Sequence, residues 1–120
     1  MDNPTTIIFA EDNPQDVRLF QYALSQLETP VNLRHFENGR ELLEAIPDIY
    51  PATTACVLVD LNMPFVNGFE VISALRANKD FHHVPIIVFT NTNSNEERLQ
   101  CYELGANAYV PKPLEIEDLV

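Results

Sequence analysis

Positive charge is scarce in this sequence. Seven lysines and arginines stand against eighteen aspartates and glutamates over 120 residues, a formal net charge of −11. Such a chain repels nucleic acid and anionic membrane, so neither is expected as its direct partner. Long apolar runs are absent too, and none approaches the roughly 18 residues of a membrane span. The opening residues, "MDNPTTIIFAED", carry no basic n-region and meet an acidic pair too early for a signal peptide. Cysteine occurs twice, as Cys56 and Cys101. That is too few for a disulfide framework and fits reduced, buried thiols in the cytoplasm. No linker, internal repeat or low-complexity tract breaks the chain. What remains is 46% hydrophobic, enough for one core in one domain over residues 1–120.

Apolar runs alternate with helical patterns five times. "TTIIFA" (5–10) reads as a strand, and Asn13-Pro14 then opens a helix with Asn13 as N-cap. Val17, Phe20, Leu24 and Leu27 give that helix an apolar stripe. "VNLRHF" (31–36) alternates, as an edge strand with one wet face does. Asn38-Gly39 turns into a second helix carrying Leu42, Leu43 and Ile46. "CVLVD" (56–60) is a strand buried on both faces, and a third helix follows Gly68 with Phe69, Ile72 and Leu75. "VPIIVFT" (84–90) is a fourth strand, and "NSNEERLQCYELG" a capped helix stopped by Gly105. "NAYV" is a short fifth strand, and "LEIEDLV" begins a fifth helix. Repeated β-α units with short loops predict an α/β fold, a doubly wound parallel sheet with helices on both sides.

In open sheets of this kind ligands bind beyond the carboxyl ends of the strands. Strand one ends in Glu11-Asp12, strand three in Asp60 and strand four in Thr90; strand five leads through Pro111 to Lys112-Pro113. Three acids, a hydroxyl and an ammonium therefore converge on one edge. Two unit charges about 4 Å apart repel by roughly 4 kcal/mol at an effective dielectric of 20, so either one acid is protonated or a cation sits among them. Oxygen ligands without cysteine or histidine select Mg²⁺, with Mn²⁺ as the alternative, before Zn²⁺. Such a site bridges readily to phosphate, whose other oxygens Thr90 and Lys112 suit. Asp60 is then the nucleophile, since carboxylates accept phosphoryl groups as acyl phosphates.

With these residues in place the chain resembles the receiver domain of two-component response regulators, the family that includes the chemotaxis response regulator. "AEDNPQD" resembles its acidic loop, "VLVDLNMPFVNGFEV" its phospho-acceptor segment, "PIIVFTN" its hydroxyl-bearing strand and "GANAYVPKP" its lysine-proline segment. The four occur in order, and the resemblance spans the whole chain, roughly Ile7 to Leu119. The resemblance implies a flavodoxin-like fold with five parallel strands in the order 2-1-3-4-5. It makes Asp60 the phospho-acceptor, and Glu11, Asp12, Asp60 and the backbone carbonyl of Asn62 the metal ligands. Thr90 and Lys112 hold the phosphoryl oxygens, Thr90 and Tyr109 report the switched state, and a cis bond precedes Pro113. The implied function is a phosphorylation-activated switch rather than a turnover enzyme. A sensor histidine kinase or phosphotransfer protein supplies the phosphoryl group, with Mg²⁺ bound. Output passes through the face of the fourth helix, fifth strand and fifth helix to a downstream protein. Two departures stand out. Asn91 follows Thr90 where the family has a small residue, narrowing access to Asp60. The fifth helix, from Leu114 to Val120, is short, which leaves an apolar surface for self-association as a homodimer or for a partner.

Plainer readings exist for each residue. Glu11-Asp12 suits a solvated loop, Asp60 a helix cap, Thr90 the end of a β-branched strand, Tyr109 the core and Lys112 the surface. His82-His83 reads as exposed loop, and His35 as packed or wet without a role. Among rival functions, a Mg²⁺-dependent phosphohydrolase with Asp60 as transient nucleophile wants a second acid two residues on, where this chain has Asn62. A phosphorylation-independent adaptor has no use for the acid, hydroxyl and lysine set.

Overall fold

The computed structural model describes residues 5–29 and 31–112. Strands β1 (Thr5–Ala10), β2 (Val31–Phe36), β3 (Thr54–Val59), β4 (Ile86–Thr90) and β5 (Ala108–Pro111) alternate with helices α1 (Pro14–Ser25), α2 (Gly39–Ala45), α3 (Gly68–Ala77) and α4 (Asn95–Leu104). All pairings are parallel, in the order β2-β1-β3-β4-β5. The flavodoxin-like topology expected from the sequence is the one observed.

Alternation along the strands divides the interior in two. Ile8 and Ala10 of β1, Val57 and Val59 of β3, and Ile86 and Val88 of β4 pack with Leu42, Val71, Ile72, Leu75 and Cys101 from α2, α3 and α4. The residues between them face the other way: Phe9, Leu58 and Phe89 pack on Val17 and Phe20 of α1. There the rings of Phe9, Phe20 and Phe89 lie 5.1–6.0 Å apart in tilted pairs, the spacing at which aromatic edges meet faces.

Helix starts follow the sequence signals. Asn13, Asn38, Asn67 and Ser94 each accept a backbone N–H from the first turn of α1, α2, α3 and α4. At α3 the Glu70 side chain also accepts from the Asn67 N–H, completing a reciprocal box. Gly105 closes α4 at φ 113, a left-handed conformation that other residues rarely adopt.

Three expectations shift. Gln26 and Leu27 donate to Ala23 and Leu24, three residues back. This tightened turn swings Leu27 off the α1 stripe, leaving it 52% exposed. Ile46 falls in a 3₁₀ turn (Ile46–Asp48), because Pro47 has no N–H with which to continue α2. Val84 donates to Phe81 within a turn and Pro85 has no N–H, so β4 opens only at Ile86. The short fifth helix and the bond before Pro113 lie outside the described residues. Among the described residues no helix is long and apolar enough to cross a membrane.

Candidate functional site

Parallel pairing brings the chemistry together. Ala10 of β1 lies beside both Phe36 and Val59. One residue further on, Glu11 donates its N–H to the Phe36 carbonyl at 3.0 Å, and Asp60 donates its N–H to the Ala10 carbonyl at 3.1 Å. Ladder bonds thus carry the two acids side by side past the end of the sheet. Lys112 is set by the same logic, its N–H donating to the carbonyl of Thr90. Beyond Asp60 the chain turns through Phe65 at φ 69 before entering α3.

Carboxylate oxygens of Glu11, Asp12 and Asp60 all lie within 4.8 Å of one another. Glu11 and Asp60 are buried, while Asp12 stands at the exposed rim. The Lys112 ammonium enters from below: its Nζ is 2.7 Å from Glu11 Oε1, 2.6 Å from Asp16 Oδ2 and 3.6 Å from Asp60 Oδ2. Glu11 Oε1, although close to that ammonium, makes no well-angled hydrogen bond. Asp60 Oδ1 accepts the Asn62 N–H at 3.3 Å.

Burial pushes the Glu11 carboxyl up to about 8; the Lys112 ammonium pulls it down and the Asp60 carboxylate raises it again. Lys112 is itself raised. Burial would lower it, but its close contacts with Asp16 and Glu11 and the charge of Asp60 outweigh that. One ammonium among these acids does not neutralise them all, and the most deeply buried acid keeps a proton. A hard divalent cation fits this set, since every side-chain donor is a carboxylate oxygen.

The proton on Glu11 has a measurable consequence. From its ordinary 4.5 up to about 8, the folded protein holds a proton that the unfolded chain has released. The stabilisation linked to that proton is full below the lower value and is lost as pH rises through the upper one. Without divalent metal, the melting temperature of the wild type should fall relative to Glu11→Gln between about pH 5 and 8. Parallel curves for the two proteins would exclude a shifted Glu11. Metal offers a second test. At a free Mg²⁺ concentration 100-fold above Kd, stabilisation should reach about 2.7 kcal/mol, and Asp12→Asn should need more Mg²⁺ for the same gain. Equal thermal titrations for the two proteins would remove Asp12 from the site.

Thr90 and Tyr109 belong to a second set of hydrogen bonds. Thr90 is buried, and its hydroxyl lies 3.1 Å from that of Thr92. Thr92 donates its hydroxyl to Glu97 Oε1 at 2.6 Å. Tyr109 is buried; its hydroxyl lies 3.2 Å from the Thr92 carbonyl and 3.1 Å from Glu97 Oε1, and the Arg98 guanidinium sits 5.1 Å from its ring centre. Thr90 and Tyr109 are therefore joined through Thr92 and Glu97, which the sequence reading did not single out. His35, expected to have no role, places Nε2 2.7 Å from the Glu11 carbonyl and holds the acidic loop. His82 and His83 are exposed, as expected. Asp16 was also overlooked, and its signal was present: it stands one helical turn after Asp12, in the first turn of α1.

Known proteins share this arrangement of chain. A probable cyclic di-GMP phosphodiesterase of Vibrio cholerae is 32% identical over 92% of this chain, which spans only 24% of that relative's length. The crystal structure of a phosphorylated cyanobacterial phytochrome response regulator, RcpA, superposes with a TM-score of 0.87 at 25% identity, covering 98% of this chain and 86% of that one. The Mn²⁺-bound form of the response regulator Rcp1 gives 0.86 at 28% identity, covering 97% and 86%; the Synechocystis sp. protein of that name is 27% identical over 97% of this chain and 82% of its own. Residues 7–120 match the family model of the response regulator receiver domain, and the chain belongs to that family.

Proposed function

We propose that residues 1–120 form a single receiver domain, a cytoplasmic switch that accepts a phosphoryl group on Asp60 with Mg²⁺ bound. The observation that carries this reading is the meeting of Glu11, Asp12 and Asp60, with the Lys112 ammonium against Glu11 and Asp60. Relatives described as phosphorylated and as Mn²⁺-bound support it. The donor is a sensor histidine kinase or phosphotransfer protein. An oxygen of Asp60 forms a bond to phosphorus as the bond from phosphorus to the donor breaks, and the leaving group departs with that electron pair. Glu11, Asp12, Asp60 and the Asn62 carbonyl would hold the metal, which when bound neutralises charge on the acids and the phosphoryl oxygens. Lys112 offers a point charge to the same oxygens.

The domain contributes position and electrostatics to its own phosphorylation and dephosphorylation and turns over no metabolite. Added charge at Asp60 draws the Thr90 hydroxyl toward it, away from Thr92, and so disturbs the Thr92–Glu97–Tyr109 bonds at the start of α4. Leu99, Tyr102 and Val110 are exposed on α4 and β5, where a downstream protein or a second copy would bind. The test is incubation with Mg²⁺ and a small phosphodonor. Intact mass should rise by one phosphoryl group, labile to hydroxylamine and alkali. A stable adduct, or none, would overturn the reading.

A further inference from the structure

The Lys112 ammonium is closer to Asp16 than to the residue it is expected to assist. Nζ lies 2.6 Å from Asp16 Oδ2 and 3.6 Å from Asp60 Oδ2, with the lysine and Asp60 side chains both under 10% exposed and that of Asp16 at 20%. Local geometry explains why Asp16 is free to do this. It occupies the third helical position of α1, after the Asn13 cap. A Glu or Gln there can reach back to accept the cap residue's N–H, as Glu70 does at α3. At α1 Glu11 Oε2 accepts that N–H, at 3.2 Å, and the Asn13 side chain accepts from Gln15. The Asp16 carboxylate therefore takes no part in the cap. Its charge is still favoured at a helix N-terminus, and it takes the lysine instead.

Asp16 is not one of the clustered acids Glu11, Asp12 and Asp60. Together with Glu11 Oε1, 2.7 Å from the same Nζ, it competes with Asp60 for one ammonium. The geometry points to Asp16 as a positioning residue that parks Lys112 away from Asp60 and gives it up when Asp60 gains negative charge. The inference rests on the phosphoryl-site reading above. Parking has a sign: the ammonium must exchange a close, part-buried partner for the phosphoryl oxygens, so Asp16 opposes the switched state. Removing its charge without changing its shape should favour that state.

The experiment compares wild type, Asp16→Asn and Asp16→Glu by titration with fluoroberyllate, a phosphoryl mimic, in saturating Mg²⁺. The Lys112 ammonium is followed in the same samples by ¹⁵N NMR of labelled lysine. Asp16→Asn is expected to bind the mimic about three- to tenfold more tightly, the range of a part-buried ion pair. Its Lys112 resonance should be displaced before any mimic is added. Asp16→Glu, which keeps the charge, should return both readouts toward wild type. A tighter Asp16→Asn with an unmoved Lys112 signal would reduce the effect to general charge repulsion and overturn parking. Unchanged or weaker binding would overturn it as well. Failure of the wild type itself to bind the mimic would instead remove the phosphoryl site, and this inference with it.

Discussion

Asp60→Asn should gain no phosphoryl mass from phosphodonor and Mg²⁺ under conditions that fully modify the wild type. The substitution keeps the shape and leaves an acceptor for the Asn62 N–H that now binds Asp60 Oδ1 at 3.3 Å. It removes the oxyanion that would attack phosphorus. A neutral amide is a far weaker nucleophile than a carboxylate, so the loss should be complete. Lys112→Ala should differ in kind: the acceptor remains and mass is still gained, while the response that depends on drawing the ammonium inward is impaired. The two variants together separate acceptor from partner. Intact-mass spectrometry reads the first and mimic-induced NMR shifts the second. Persistent, hydroxylamine-labile phosphate on Asp60→Asn would move the acceptor to another residue.

Gly68→Ala should damage the fold and the acidic site together. Gly68 is the first residue of α3, and its N–H donates to the Leu61 carbonyl at 3.1 Å. A β-carbon there would lie 2.5 Å from the Asp60 carbonyl oxygen and 2.7 Å from the Leu61 α-carbon. Both are backbone atoms, so no side-chain rotation relieves the clash. Either α3 retreats from the sheet or the segment carrying Asp60 moves. Overpacking of this kind costs about 1–3 kcal/mol. Because the displaced backbone is that of Asp60, Mg²⁺-dependent stabilisation should weaken at the same time. Denaturant midpoints with and without Mg²⁺ measure both effects. A variant matching wild type in both would mean that the helix start yields without cost to the site.

Glu11, Asp60 and Lys112 were legible in the sequence because a β-α repeat puts each strand's last residue at the same edge. Their position in the chain already told their position in space. The Thr92–Glu97–Tyr109 network was not legible. Its bonds join a loop, a helix and a strand whose relative placement only packing sets, and each residue alone looks like an ordinary loop, surface or core residue. His35 escaped for the same reason: an exposed histidine on an edge strand acquires a role only once the Glu11 carbonyl is 2.7 Å away.

The sequence by itself determined the order of elements, the cap at Asn13, the two-faced burial of β3 and β4, and the strand ends that carry the acids. These follow from local periodicity and from groups a few residues apart. Tertiary structure alone decided which acids meet the lysine. Asp16 and Lys112 are 96 residues apart in sequence yet 2.6 Å apart in the fold, while the Asn13 N–H is taken by Glu11. It also decided where the proton rests. Burial removes water from Glu11, and that loss of solvation raises its carboxyl.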